Sequence, residues 1–99
     1  MKCVRIDLPN ELRLKIDGAL DALTARDVRP IFDQVVVEKP KRVTVDLESL
    51  TLIDSSGVGA IVSLFKRVKA DGGQVVVVHA QDQPLAVLKL LKLDRVFGL

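Results

Sequence analysis

The stretch TLIDSSGVGAIVSLFKRV, from Thr51 to Val68, contains the pattern that decides the fold. Its apolar residues recur at the spacing of one helical face; they are Val58, Ile61, Val62, Phe65 and Val68. Gly72-Gly73 follows, and glycine readily takes the left-handed conformation that ends many helices. We therefore predict a helix that begins at Ser55 or Ser56 and ends at Ala70 or Asp71.

The N-terminal part of the chain is predicted to form a β-hairpin. Apolar residues are frequent in 3–8 and alternate with charged residues in 12–16. Pro9-Asn10 lies between the two segments and favours a tight turn. The hairpin should lie at one side of a sheet and end before Gly18.

A first helix is predicted between this hairpin and Lys39-Pro40. Four apolar residues fall on one helical face: Val28, Ile31, Phe32 and Val35. If Thr24 is the N-cap, Pro30 lies inside the helix and should kink it; if Asp27 is the N-cap, Pro30 falls in the first turn. The sequence leaves both starts open.

The C-terminal half continues the alternation of strands and helices. RVTVDL (42–47) has the pattern of a half-buried strand, and QVVVVHA (74–80) is apolar throughout, which predicts a central strand. A last helix should start at Asp82 or Gln83 and turn Leu85, Leu88 and Leu91 inward, and RVFGL (95–99) is predicted as a short edge strand. These elements predict a single α/β domain over residues 1–99, with a mainly parallel sheet and an antiparallel N-terminal hairpin.

Composition argues against several kinds of partner. The net charge is only +2, the charges are dispersed, and aromatic residues make up 3% of the chain, so we expect no nucleic-acid binding. The apolar runs are too short to span a bilayer, so no direct membrane contact is expected. The lone Cys3 and a start that does not fit a signal peptide favour a cytoplasmic location.

Catalytic and ligand-binding patterns are also missing. His79 is the only histidine, so a nucleophilic triad is not predicted, and we expect no enzyme activity. GVG at Gly57 to Gly59 lacks the rest of a phosphate-binding loop, and glycines that let the helix pack closely on the strands explain it better. No metal-ligand spacing is present. We expect no cofactor and no metal site, with His79 an ordinary strand-end residue and Cys3 a packing residue.

The turn Asp54-Ser55-Ser56-Gly57 is the candidate functional site. A helix N-terminus exposes free N–H groups and a partial positive charge, which stabilise oxygens from Asp, Ser or phosphate. The serines could therefore be helix caps, or one of them could be a phosphorylation site at a partner surface. The residues alone leave both interpretations open.

The segment RVTVDLESLTLIDSSGVGAIVSLFKRVKADGGQVVVV resembles the STAS domain, most closely the bacterial anti-sigma factor antagonists. The matching positions are Asp46-Leu47, Ile53, Asp54 to Gly59, Gly72-Gly73 and Val75 to Val78. The resemblance implies a mixed sheet with helices packed largely on one side. Pro30 is a departure from the usual first helix of that family.

The resemblance also implies a switch. Ser55 would be phosphorylated by an anti-sigma factor with serine kinase activity, and a PP2C-type phosphatase would reverse the reaction. The unphosphorylated form would bind the anti-sigma factor and free a sigma factor. Asp54 would shape the site, Ser56 would cap or hydrogen-bond nearby, and Gly57 would let the partner backbone approach. The predicted partner-binding residues are Asp54, Ser55, Ser56, Gly57, Val58, Gly59, Ser63, Lys66, Arg67, Gly18 and Asp21.

Other members of this family suggest two alternatives. One is a small STAS subunit of a lipid-transport ABC complex, which supports the ATPase and does not need a phosphorylated serine. The other is a small-ligand sensor or signalling scaffold, although such proteins usually carry extra domains. The intact Asp-Ser-Ser-Gly sequence favours the antagonist.

Overall fold

The structure is a computed structural model that describes residues 1–99. It contains five strands and three helices. The strands are β1 (Lys2–Asp7), β2 (Leu12–Leu20), β3 (Arg42–Asp46), β4 (Leu50–Ile53) and β5 (Gln74–Val78). The helices are α1 (Thr24–Val37), α2 (Ser55–Ala70) and α3 (Asp82–Leu90).

The sheet is mixed, as predicted. β1 and β2 form the antiparallel hairpin, with Cys3 opposite Ile16. β3 lies parallel to β2, and β5 lies parallel to β3. β4, which was not predicted from the sequence, pairs in parallel with the end of β2, after a register shift between Gly18 and Ala19. β2 therefore continues to Leu20, and Gly18 lies within a strand.

The prediction that β5 is a central strand is wrong. Strand β5 pairs only with β3 and forms one end of the sheet. Val75 and Val77 are buried, whereas Val76 and Val78 are half-buried. A strand at the end of a sheet can therefore be apolar throughout even when its second face is only partly covered, so the apolar run does not show that a strand is central.

Helices α1 and α2 cover one face of the sheet. The strand residues of that face are Leu12, Leu14, Ile16, Val43, Val45, Val75 and Val77. The helical residues packed in the same core include Val28, Phe32, Val35, Val58, Ile61, Leu64 and Val68. The opposite face of β2 and β3 carries Arg13, Lys15, Thr44 and Asp46. The apolar spacing of the two helices thus corresponds to a single layer of core.

Helix α1 begins at Thr24, which places Pro30 inside the helix. Neither Thr24 nor Asp27 provides the cap. Leu23 occupies the N-cap position, and its side chain makes no capping bond. Just before the helix, the Asp21 carboxylate accepts from the Thr24 amide at 3.0 Å and the Thr24 hydroxyl oxygen accepts from the Asp21 amide at 2.9 Å. Pro30 is exposed and lacks the N–H that an interior helical residue would donate.

Helix α2 begins at Ser55 and ends at Ala70, as predicted, and Gly72 takes a left-handed φ of 87° beyond its end. Helix α3 fits its prediction less well, because Leu88 is buried but Leu91 is 50% exposed. No helix in the structure combines the length and the apolar character that crossing a membrane requires.

The predicted edge strand at residues 95–99 is wrong. These residues form turns, held by short-range hydrogen bonds such as Leu99 N–H to the Asp94 carbonyl at 2.7 Å. Phe97 is nevertheless buried, and its ring packs edge-on against Phe65 with the centroids 5.5 Å apart. Its carbonyl accepts one bond from Val77 N–H at 2.9 Å. The segment covers the end of the sheet without pairing as a strand.

Candidate functional site

The turn between β4 and α2 is built around the carboxylate of Asp54. Asp54 has extended backbone geometry, and its side chain accepts a hydrogen bond from the Gly57 amide at 3.1 Å. The Asp54 carbonyl accepts from Val58 N–H at 2.9 Å, which starts the helical ladder. Asp54 is therefore the N-cap of α2, and its negative charge lies at the positive end of the helix dipole.

The two serines do not take part in this cap. Ser55 is exposed and is the first helical residue, whereas Ser56 is half-buried. Neither hydroxyl hydrogen-bonds to another group of the chain, and the side chain that accepts a hydrogen bond from the start of α2 is that of Asp54. The expectation that Ser56 caps the helix or bonds nearby is therefore wrong. The Ser55 hydroxyl is free at the surface of a well-formed helix end.

Gly57 lies inside the turn. A Cβ at this position would be 2.4 Å from the Leu20 carbonyl oxygen and 2.8 Å from the Ile53 side chain. The prediction that a glycine here permits close packing of helix and strands is confirmed at Gly57, but its predicted role in partner approach is wrong because the residue is buried. Val58 is only 6% exposed and belongs to the core. The structure removes both from the accessible part of the predicted surface.

The end of β2 lies directly beside this turn. Asp54 N–H donates to the Leu20 carbonyl at 3.2 Å, so the predicted neighbouring segment around Gly18 and Asp21 does adjoin the site. Hydrogen bonds, first of all from the Thr24 amide, lower the pKa of Asp21. Gly18 has a left-handed φ of 82° where β2 shifts register. Both residues therefore have structural roles in shaping the edge of the site.

The remaining predicted residues extend from the turn along α2. Gly59, Lys66 and Arg67 are exposed, and a Cβ at Gly59 would meet no atom within 4 Å. Ser63 is half-buried and lines a cavity of about 130 Å³ between α1 and α2. Arg67 is paired with Asp33 of α1 at 2.6 Å. The accessible surface therefore runs from Asp54 and Ser55 past Gly59 to Lys66.

A second polar cluster lies on the open face of the sheet, around the buried Asp46. Its carboxylate accepts from Arg13, pairs with His79 Nδ1 and accepts from the Glu48 amide, each at 3.0 Å. Burial by itself raises the pKa of Asp46, but the Glu48 amide, His79 and Arg13 outweigh it and hold that pKa below its ordinary value. Thr44, also buried, donates its hydroxyl to Glu11.

Sequence spacing did not reveal this cluster, because His79 and Arg13 lie 33 residues from Asp46 along the chain. Asp46, Glu48 and His79 each offer an atom of a type that can ligate metals, within 4.8 Å of one another. Both Asp46 oxygens already have protein partners, so the arrangement is that of a structural ion-pair network joining β2, β3 and the end of β5. His79 is thus more than an ordinary strand-end residue.

Cys3 lies half-buried opposite Ile16 in the hairpin. Burial, with a contribution from the charge of Asp17, raises the pKa of its thiol to about 11. A thiol of this kind holds little thiolate at neutral pH and is a poor nucleophile. The interpretation of Cys3 as a packing residue agrees with this environment.

The mixed sheet, the helices α1 and α2 on one of its faces and the strand-to-helix turn at Asp54 define a STAS-type α/β domain. Residues 5–99 match the family model described as the STAS domain, and the chain belongs to that family. A relative from Pseudomonas aeruginosa strain UCBPP-PA14, a STAS-domain containing protein, is 25% identical over 87 residues, which cover 88% of this chain and 85% of the relative.

Solved structures show the same fold. An anti-sigma factor antagonist from Mycobacterium paratuberculosis is 20% identical and superposes with a TM-score of 0.85, covering 97% of this chain and 81% of its own. The anti-sigma factor antagonist SpoIIAA in its unphosphorylated form is 18% identical, with a TM-score of 0.82 and coverage of 99% and 98%. The phosphorylated form of the Bacillus protein SpoIIAA is 17% identical, with a TM-score of 0.77 and coverage of 95% and 86%.

Proposed function

We propose that this chain is an anti-sigma factor antagonist whose affinity for its partner is switched by phosphorylation of Ser55. The observation that carries the proposal is that the cap of α2 is formed by Asp54 and does not involve Ser55. Asp54 caps the helix, so the exposed Ser55 hydroxyl is not needed for the fold and is accessible to a kinase. A residue with this freedom can be modified without a large change in stability.

Phosphorylation of Ser55 would change the surface more than the fold. A phosphoserine adds a charge of about −1.5 to −2 at neutral pH. The helix N-terminus attracts that charge, while the adjacent Asp54 carboxylate raises the local density of negative charge. A partner that presents carboxylates or a dry surface to this turn would then be repelled. Both forms of SpoIIAA share the fold of this chain, which agrees with a switch that acts at the surface.

The partner is an anti-sigma factor with serine kinase activity. It binds the unphosphorylated chain over the accessible surface from Asp54 and Ser55 to Lys66, phosphorylates Ser55 and releases the product. A PP2C-type phosphatase restores the hydroxyl. The chain is a cytoplasmic phosphoprotein in signal transduction and transcription regulation, and it is a substrate of this exchange and not an enzyme. These assignments rest on the family resemblance together with the accessibility of Ser55.

The proposal is tested by affinity purification from the native cell with four baits: wild type, Ser55→Ala, Ser55→Asp and the control Ser49→Asp. Ser49 is exposed in the turn between β3 and β4, so its variant adds the same charge outside the accessible surface that runs from Asp54 and Ser55 to Lys66. We expect a serine kinase of the anti-sigma type with wild type, Ser55→Ala and Ser49→Asp, and much less of it with Ser55→Asp. Equal recovery of a transporter ATPase with all four baits would instead identify a supporting subunit of an ABC complex and overturn the proposal.

A further inference from the structure

The side chain of Gln83 binds the end of β4 as a neighbouring strand would. Its amide oxygen accepts a hydrogen bond from Ile53 N–H at 2.9 Å, and its amide nitrogen donates to the Ile53 carbonyl at 2.9 Å. Gln83 is half-buried and is the second residue of α3. One side chain thus satisfies both backbone groups that Ile53 turns away from β2.

These bonds fix the peptide group that leads into α2. The Ile53 carbonyl is held by Gln83, and the Asp54 N–H of the same peptide group donates to the Leu20 carbonyl at 3.2 Å on the other side. Since Asp54 is the N-cap, the orientation of this peptide group sets the direction in which Ser55 leaves the strand. Gln83 and Leu20 therefore hold the turn between β4 and α2 from opposite sides.

We propose that Gln83 is a positioning residue of the switch: it holds Ser55 in the geometry that the kinase uses and couples the charge at position 55 to helix α3. The inference rests on the proposed phosphorylation of Ser55. The coupling has a short route, because only Asp54 separates the bonded Ile53 from Ser55 and Gln83 belongs to α3 itself. A shift of the turn upon phosphorylation must either move Gln83 or break its two hydrogen bonds.

Gln83→Met tests this role because methionine has a similar length and cannot form either bond. Gln83→Glu keeps an acceptor for Ile53 N–H but places a carboxylate oxygen against the Ile53 carbonyl, which repels it, so an effect at least as large as that of Gln83→Met is expected. Gln81→Met is the matched control, since Gln81 precedes the same helix and donates a single bond to the Glu48 carbonyl at 2.9 Å, away from Ile53. Thermal unfolding of each variant establishes that it is folded.

The first readout is the kinetics of Ser55 phosphorylation by the serine kinase recovered with the wild-type bait. Gln83→Met should lower kcat/KM about tenfold, a factor that corresponds to about 1.4 kcal/mol and to the net contribution of a hydrogen bond. Gln83→Glu should lower kcat/KM at least as much. Gln81→Met should match wild type. If the folded Gln83→Met variant is phosphorylated at the wild-type rate, the positioning role is overturned.

The second readout needs no kinase. Ser55→Asp should change the amide chemical shifts of α3, at Leu88 and Lys89 for example, and these changes should disappear when Gln83→Met is added but persist with Gln81→Met. Shifts that persist in the Gln83→Met background would overturn the coupling. If wild type is not phosphorylated at all, the proposed function fails while this measurement still decides whether Gln83 links the turn to α3.

Discussion

The carboxylate of Asp54 accepts a hydrogen bond from the amide of Gly57 at 3.1 Å, so the cap of α2 does not use the hydroxyl of Ser55. Three consecutive polar residues therefore differ in structural role and in exposure. Asp54 caps the helix, Ser55 is exposed, and Ser56 is half-buried beside the turn. The distinction has consequences that can be measured one residue at a time.

Replacing Asp54 should destabilise the domain more than replacing either serine. Asp54→Ala removes the N-cap and should lower the free energy of unfolding by about 1 kcal/mol. Ser55→Ala should change it by less than about 0.5 kcal/mol, as for a surface residue without partners. Urea denaturation of the two variants beside wild type measures the difference. Equal losses would show that the serine also supports the helix end.

A negative charge at position 55 should leave the fold intact. Ser55→Asp places a carboxylate in the first turn of α2, where the helix dipole stabilises anions by about 0.3–1 kcal/mol at low salt. We expect its unfolding free energy to equal or slightly exceed that of wild type, with the excess lost at high salt. A clearly less stable Ser55→Asp variant would mean that weakened partner binding reports unfolding and not a switch.

The same substitution should weaken partner binding. Ser55→Ala should bind the proposed anti-sigma factor partner with wild-type affinity. Ser55→Asp should bind it about tenfold more weakly or worse, because like charges brought together at an interface cost several kcal/mol. Isothermal titration calorimetry with the purified partner gives both dissociation constants. Similar affinities for the two variants would argue against control through Ser55.

The two glycines at the start of α2 should respond oppositely to alanine. At Gly57 the added Cβ would lie 2.4 Å from the Leu20 carbonyl oxygen, and such overpacking should cost about 2 kcal/mol or more. At Gly59 the Cβ would meet nothing within 4 Å, so Gly59→Ala should raise stability by about 1 kcal/mol through helix propensity. Denaturation of this pair checks the prediction, and a tolerated Gly57→Ala would contradict the packing of the turn against β2.

Local sequence predicted those parts of the molecule that local interactions control. The bounds of α2 follow from its apolar spacing and from Gly72, which takes the left-handed backbone conformation that ends the helix. The position of β5 at the end of the sheet could not be predicted from its sequence. All four residues from Val75 to Val78 are apolar, although Val76 and Val78 lie on a face that is only partly covered. Strand β4 was missed since its burial pattern has two exposed residues in the middle and no alternation.

The candidate site was predicted in outline for the same reason. An acidic residue before two serines at a helix start is a local pattern, and the accessible Ser55 lies where that pattern placed it. Gln83 lies 30 residues from Ile53, and Arg13 and His79 each lie 33 residues from Asp46. Such contacts depend on how distant segments of the chain come together in the fold. No local sequence pattern shows that a glutamine will hydrogen-bond the free backbone groups of an edge strand.

Stability should depend on pH through Asp46. Its pKa is lower in the folded chain than its ordinary value of 3.8, so the folded state binds the Asp46 proton less tightly than the unfolded state does. The stabilisation is therefore fully present above pH 3.8 and is lost as the pH falls through the lower, folded-state pKa. Asp46→Asn should cost about 2 kcal/mol at neutral pH, since charge-assisted bonds to Arg13 and His79 are weakened.

The gap between wild type and Asp46→Asn should then narrow on acidification, because wild type loses in acid the interaction that the variant lacks throughout. Asp71→Asn is the matched control: Asp71 is exposed and forms no ion pair, so its variant should stay within about 0.5 kcal/mol of wild type. Urea denaturation at neutral pH and below pH 3.8 provides the comparison. A gap for Asp46→Asn that is constant across this range would show that packing, and not the charge of Asp46, holds β2, β3 and the end of β5 together.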